Sequence, residues 1–364
     1  MSESSLFSGP YTHEHNSVSR TMLLVMVALT PATAYGIYLF GLPALFLFML
    51  TIAGAVISEI ACLMITGKPV KIYLLDGSAV LTGWLLAMTL PPWAPWWIGV
   101  LGAVIAIVVG KQVFGGIGQN LFNPAMVARV ALLISFPLEM TSWVQPDPLF
   151  SSTAPGLMDA LGITFGTGTA ASYDAVSSAT ILGHVKTELG RGLPLQEALT
   201  AFYEPARLAT GTVAGSLGET SAVLIVAGGL LLLWQRIISW HIPVSMLLTL
   251  ALLAGVFHLI DPQHYAGALV HLLSGASLLG AFFIATDLVT SPVTYRGQLV
   301  FGAGCGALVF IIRNWAGYPE GMAFAVMLMN ACTPLIDHYL KPRIYGRNRR
   351  GEPIQYADDA EVTE

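Results

Sequence analysis

Pro43–Thr66, PALFLFMLTIAGAVISEIACLMIT, runs for 24 residues with a single charged side chain, Glu59. A helix of that length reaches across the roughly 30 Å hydrocarbon core of a bilayer and closes its own backbone hydrogen bonds while doing so. A strand would leave those bonds open, so the run reads as a membrane-spanning helix.

The rest of the chain repeats the pattern. Of 364 residues, 55% are hydrophobic and only 10% charged, against roughly 25% charged in soluble proteins. Helices are expected near 21–38, 43–66, 76–91, 96–113, 122–137, 219–236, 242–260, 265–287, 297–314 and 321–340. The fold class is therefore an all-α polytopic membrane protein with ten transmembrane helices. It divides into a cytoplasmic N-terminal segment (1–20), a five-helix block (21–137), a long polar loop (138–218), a second five-helix block (219–340) and a cytoplasmic tail (341–364). The Ala32-Thr33-Ala34 triplet resembles a signal-peptidase site. It is rejected because Arg20 is the only basic residue ahead of it, beside Glu3 and Glu14, and apolar residues continue through Phe40.

Orientation follows from lysine and arginine. With ten crossings the termini share a side, and placing Lys341, Arg343, Arg347, Arg349 and Arg350 in the cytoplasm brings Arg20, Lys68, Lys71, Lys111, Arg236 and Arg296 there too. Only Arg313 falls in a short outer connection. Residues 138–218 are then extracytoplasmic, and their seven acidic against three basic residues fit that side.

Ser78–Thr89 can be laid on Gly275–Thr286, the corresponding helix of each block. Five crossings per block force the second copy to enter from the opposite face, giving an inverted repeat. Both segments are short, rich in small residues and followed by proline, as in broken helices around a central site. Asp76 and Asp287 fall near the cytoplasmic ends of these helices, and Glu59 lies inside the second. Charges at such depth point to an ion pathway, while interfacial placement or local pairing is the alternative for the two aspartates.

Gly115–Met126, GGIGQNLFNPAM, links the fourth and fifth helices. Asn123 followed by Pro124 is a helix start with Asn123 as N-cap. Asn120 and Asn123 also offer amide donors and acceptors suited to a flat heterocycle. Arg129 is expected to reach back to the cytoplasmic surface. Cys62, Cys305 and Cys332 are scattered without Cys-x-x-Cys spacing, so no metal site from this chain alone is expected.

In the polar loop, Asp174-Ala175-Val176-Ser177-Ser178-Ala179-Thr180 leaves a threonine hydroxyl among small neighbours. Taken alone it is also an ordinary turn. It resembles the flavinylation signature Asp-x-x-Ser-(Ser/Gly)-Ala-Thr, in which a transferase moves FMN from FAD onto threonine. With the Asp76-Gly77-Ser78-Ala79 and Gly118–Pro124 runs and the ten-helix layout, the chain resembles the RnfD family, membrane components of the Rnf ferredoxin:NAD oxidoreductase. More distantly it resembles the flavin-bearing membrane component of the sodium-pumping NADH:quinone reductase. The short N-terminal extension favours the former.

That resemblance implies FMN covalently held as a phosphoester on Thr180, with Asp174, Ser177, Ser178 and Ala179 forming the recognition sequence. It implies a second noncovalent flavin, riboflavin or FMN, held with the help of Asn120 and Asn123. It further implies a bacterial inner-membrane electron carrier that works only with other Rnf subunits and a flavin transferase, in a complex coupling electron transfer to sodium or proton movement. No catalytic residue and no nucleic-acid partner are expected. Neither a Gly-x-Gly-x-x-Gly after a strand nor a cysteine cluster is present, so ferredoxin and NAD must dock elsewhere. The competing readings are a channel for a small polar solute, since urea channels also pair inverted five-helix sets, and a purely structural scaffold.

Overall fold

The computed structural model describes residues 17–166, 180–200, 209–341 and 346, and all regular structure among them is helical. The first element, α1 (Val18–Ile65), is continuous in hydrogen bonding but breaks at Gly41, whose φ of 77° and ψ of −164° are not helical. Pro43 follows within two residues and removes a helical donor, so the 48-residue element is two limbs rather than one rod. The expected boundary between the first and second helices falls here.

The limbs run antiparallel, as contacts at their ends show. Ser19 Oγ donates to Leu75 O, and Lys111 Nζ reaches Glu59, so residues 19, 59, 75 and 111 share one end of the bundle, the Asp76 end. Leu149 N donates to Tyr38 O, and Trp93 Nε1 to Phe40 O, at the other, the Thr180 end.

Around α1 pack α2 (Val70–Leu74), α3 (Ser78–Thr89) and α4 (Trp96–Val104), and α5 (Pro124–Ser135) packs on α3 and α4. A π-helical turn, Ile105–Val109, continues α4. The polar loop carries α6 (Pro137–Thr141), α7 (Leu157–Phe165), α8 (Ile181–Gly190) and α9 (Leu195–Thr200). The second block holds α10 (Ala222–Trp234), α11 (His241–Ile260), α12 (Ala268–Leu273), α13 (Ser277–Leu279), α14 (Tyr295–Trp315) and α15 (Met322–Tyr339). Here α11 packs on α14, and α14 on α15.

The segment bounded as a helix over 265–287, whose small residues and following proline mark it as a candidate broken helix, is broken. α12 stops at Leu273, Gly275 adopts φ 68°, and α13 restarts two residues later and passes into a second π turn, Gly280–Ile284. At Gly275 an added Cβ would overlap the Glu320 carboxylate and the Arg313 guanidinium. The helix opens there to admit an ion pair.

Burial has the pattern of a membrane protein. Phe40, Leu86, Met126, Phe301 and Phe310 are sealed inside, yet large apolar side chains such as Ile57, Leu252 and Leu328 stand more than half exposed on the long helices. Water would not tolerate such a surface, and lipid does. Among the described residues four helical stretches, including α1, α11 and α14, have the length and apolar content to cross a bilayer.

Candidate functional site

At the Asp76 end a cleft of about 810 Å³, part of it open to solvent, lies between the two blocks. Its walls are mainly apolar, with Leu85, Phe282 and Phe283 among them, and its polar groups are Thr21, Ser78, Thr82, Lys111, Asn120, Asn123, Thr286 and Asp287. Mainly apolar walls with a few placed polar groups are the usual composition of a small-molecule pocket.

Asn123 caps α5. Its Oδ1 accepts from Ala125 N at 3.1 Å and Met126 N at 3.4 Å, and Pro124 occupies the first helical position. Its Nδ2 donates to Ile284 O, 3.5 Å away on the second π turn, so one amide ties the two blocks together across the cleft floor. Asn120 donates Nδ2 to Phe122 O at 3.1 Å. Both asparagines are buried, and both line the cleft.

Two of the three acidic residues expected along an ion path belong to one hydrogen-bonded chain. Lys111 Nζ lies 2.9 Å from Glu59 Oε1 and donates to Ser78 Oγ at 2.7 Å; Ser78 Oγ donates in turn to Asp76 Oδ1 at 2.5 Å. Gln112 Nε2 gives Glu59 a second donor at 2.6 Å. Asp76 also accepts from Ser78 N, so it secures the start of α3. Asp287 stands elsewhere on the cleft wall, accepting from Val289 N and Thr290 Oγ1, and no ion pair of Asp287 occurs among the described residues. Lys111, which the sequence marks only as a cytoplasmic charge, is 3% exposed and central to this network. Its place directly after an apolar run was the available signal.

Thr180 lies at the opposite end. It is the N-cap of α8, its Oγ1 accepting from Gly183 N at 3.2 Å, and it lines a recess of about 290 Å³ with Val213, Glu219, Ser274 and Gly275. Asp174, Ser177, Ser178 and Ala179 fall outside the described residues. Lys186, on α8, donates to the carbonyls of Arg313, Ala316 and Tyr318, which docks α8 on the end of α14. Burial holds the Lys186 ammonium below the usual lysine range.

Two arginines depart from expectation. Arg129 does not reach the Asp76 end: it is 7% exposed, its NH1 points to Met140 Sδ at 3.8 Å, and its guanidinium lies over Trp143. Those partners lie beyond the C-terminal end of α5, toward the Thr180 end. Arg313 is not in an outer connection but inside α14, buried, pairing with Glu320 at 3.0 Å and donating to His271 O, Ser274 O and Ser277 Oγ. Among the described residues no group of three or more His, Cys, Asp or Glu could hold a metal.

The chain is a polytopic helical bundle with a mainly apolar cleft at one end and the half-buried Thr180 at the other. Residues 5–346 match the NQR2, RnfD, RnfE family, and the chain belongs to it. It is 55% identical to the D subunit of the ion-translocating oxidoreductase complex of Halorhodospira halophila (strain DSM 244 / SL1), over 96% of this chain and 98% of that protein. It is 57% identical to the D subunit of the same complex in Stutzerimonas stutzeri, over 93% and 95%, and 51% identical to that of Rhodobacter capsulatus, over 84% of each. Those names describe oxidoreductase subunits, not solute channels.

Proposed function

We propose that this chain is the D subunit of an ion-translocating oxidoreductase complex of the Rnf type and that it carries FMN on Thr180. The observation that carries the reading is the position of Thr180: a half-buried hydroxyl at the N-cap of α8, beside a recess, at the end of the bundle opposite the asparagine cleft. A phosphoester formed there places its negative charge at the N-terminus of a ten-residue helix, where unpaired backbone N–H groups and the helix dipole favour an anion.

The cleft at the Asp76 end takes a second, noncovalent flavin. Phe282, Phe283 and Leu85 supply apolar surface for a planar ring, while Asn120 and Lys111 supply polar groups at its edge. A flavin contributes one- or two-electron chemistry, and the chain contributes position, orientation and local field. With ten crossings arranged as an inverted repeat, both termini cytoplasmic and residues 138–218 outside, two flavins at opposite ends make an electron relay across the membrane. The remaining subunits provide docking for ferredoxin and NAD, and Asp76, Asp287 and Glu59 lie along the inner part of the coupled sodium or proton path.

The test is the intact mass of the full chain expressed with its flavin transferase, together with fluorescence in a denaturing gel. Wild type carries one added FMN, and Thr180→Ala has neither the mass nor the fluorescence. A wild-type mass equal to the polypeptide alone overturns the reading.

A further inference from the structure

At the Thr180 end two recesses share one side chain. Glu219 lines the recess that holds Thr180 and also a neighbouring cavity of about 410 Å³, part of it open to solvent, whose polar walls are Arg129, Glu320 and Thr89. The cavity draws on both blocks: Arg129 and Met126 come from α5, Ala276 and Ile284 from the broken segment, and Met322 from α15.

The two carboxylates in this cavity are held very differently. Glu320 accepts from Arg313 NH2, from Ala276 N at 3.3 Å and from Met322 N at 3.2 Å, so both of its oxygens are held by fixed donors. Glu219 has a single described donor, the hydroxyl of Ser216 at 2.9 Å, and no ion pair among the described residues. A hydroxyl can rotate to accept instead of donate, so Ser216 accommodates either protonation state of Glu219.

A further observation asks for a mobile partner. Arg129, only 7% exposed, has one hydrogen bond among the described residues, to a thioether, although a guanidinium carries five N–H donors. It lines the cavity that Glu219 and Glu320 line. Buried donors of this kind are met by water when the space is polar and large enough.

We propose that Glu219 is a proton-exchanging carboxyl, loaded and unloaded through water in the cavity beneath Thr180. The charged groups facing it are Glu320, from the turn before α15, Arg129 of α5 and Arg313 of α14. Glu320 opposes its ionisation, and the two arginines favour it. Proton arrival converts the Glu219 carboxylate to a neutral acid, with Ser216 turning from donor to acceptor, and departure reverses both changes. No other bond is made or broken. The assignment does not depend on the ester at Thr180.

Infrared difference spectra of the purified full chain in detergent, recorded as pH is stepped, test this. The wild type shows a protonated-carboxyl C=O band that titrates and shifts in heavy water. Glu219→Gln loses it; Glu219→Asp, which keeps an acid in the cavity, regains it at a displaced frequency; the wild type expressed without its flavin transferase still shows it. In Glu320→Gln the band persists, and its midpoint moves to lower pH by about one unit or more, because the opposing charge is gone. A band that survives Glu219→Gln, is missing from Glu219→Asp, or keeps its midpoint in Glu320→Gln overturns the proposal. Loss of the band in chain expressed without the flavin transferase would overturn its independence from the ester, whereas an absent FMN mass with the band intact would strike only at the flavin.

Discussion

Nζ of Lys111 and Oε1 of Glu59 lie 2.9 Å apart, with side chains only 4% and 3% exposed. Burying two charges is costly: Lys111 is met by Glu59 and Ser78 and Glu59 Oε1 by Lys111 and Gln112, while the buried Glu59 Oε2 has no hydrogen-bond partner among the described residues, so the pair leans on these few contacts. Removing one partner is therefore worse than removing both. Lys111→Met should lower stability by about 3–5 kcal/mol, and Lys111→Met combined with Glu59→Gln should recover a substantial part of that loss. Thermal unfolding of the two variants in detergent checks it: a double variant no more stable than Lys111→Met would show that the pair is not what holds this end together.

Arg313 and Ser277 form the comparable contact at the far end, with NH2 donating to Oγ at 2.8 Å, and Gly275 makes room for it. Gly275→Ala places a methyl group against both the guanidinium and Glu320, in a backbone conformation that costs about 1–2 kcal/mol for a non-glycine residue. Gly166 has a similar φ of 77° but nothing within 4 Å of its Cβ position. Gly275→Ala should consequently lower Tm well beyond Gly166→Ala, which carries the conformational cost alone.

Asn123 has two separable duties. Asn123→Ala loses the helix cap, worth about 1 kcal/mol, together with the link to Ile284 O. Asn123→Asp keeps an acceptor for Ala125 N and Met126 N but cannot donate to Ile284 O. The aspartate variant should retain more stability than the alanine variant while both lose noncovalent flavin after mild extraction. Flavin content per chain at the wild-type value in both would remove Asn123 from the cleft's binding role.

Thr180 combines a hydroxyl with an N-cap. Thr180→Ser preserves both, so it should cap α8 as well as threonine does, and the FMN mass then reports only whether the transferase accepts serine. Thr180→Ala loses the cap, about 1 kcal/mol of local helix stability, along with the attachment oxygen. Hydrogen exchange over 181–190 should rise in Thr180→Ala and remain near wild type in Thr180→Ser.

Much of the helical layout is legible in the sequence because its causes are local. Apolar runs long enough for a bilayer, the Asn123-Pro124 start and the Gly41/Pro43 interruption each act through neighbouring residues. The segment around Gly275 reads as a candidate broken helix, but nothing nearby in the chain announces that Arg313 and Glu320, some forty residues later, occupy the gap. Arg129 is misplaced at the Asp76 end for a similar reason: its direction depends on Met140 and Trp143 folding back over α5.

The sequence alone determined that this chain is a helical membrane protein, where most of its helices begin and end, and which threonine and asparagines are candidates for holding a cofactor, because hydropathy, caps and short motifs are properties of contiguous residues. Only the tertiary structure decided which buried charges are paired. Glu59 meets Lys111 across 52 positions and Arg313 reaches Ser277 across 36, while Glu219 is left with a lone serine hydroxyl among the described residues. A charge within a low-dielectric bundle is governed by its partner in space, and that partner is chosen by how the helices pack.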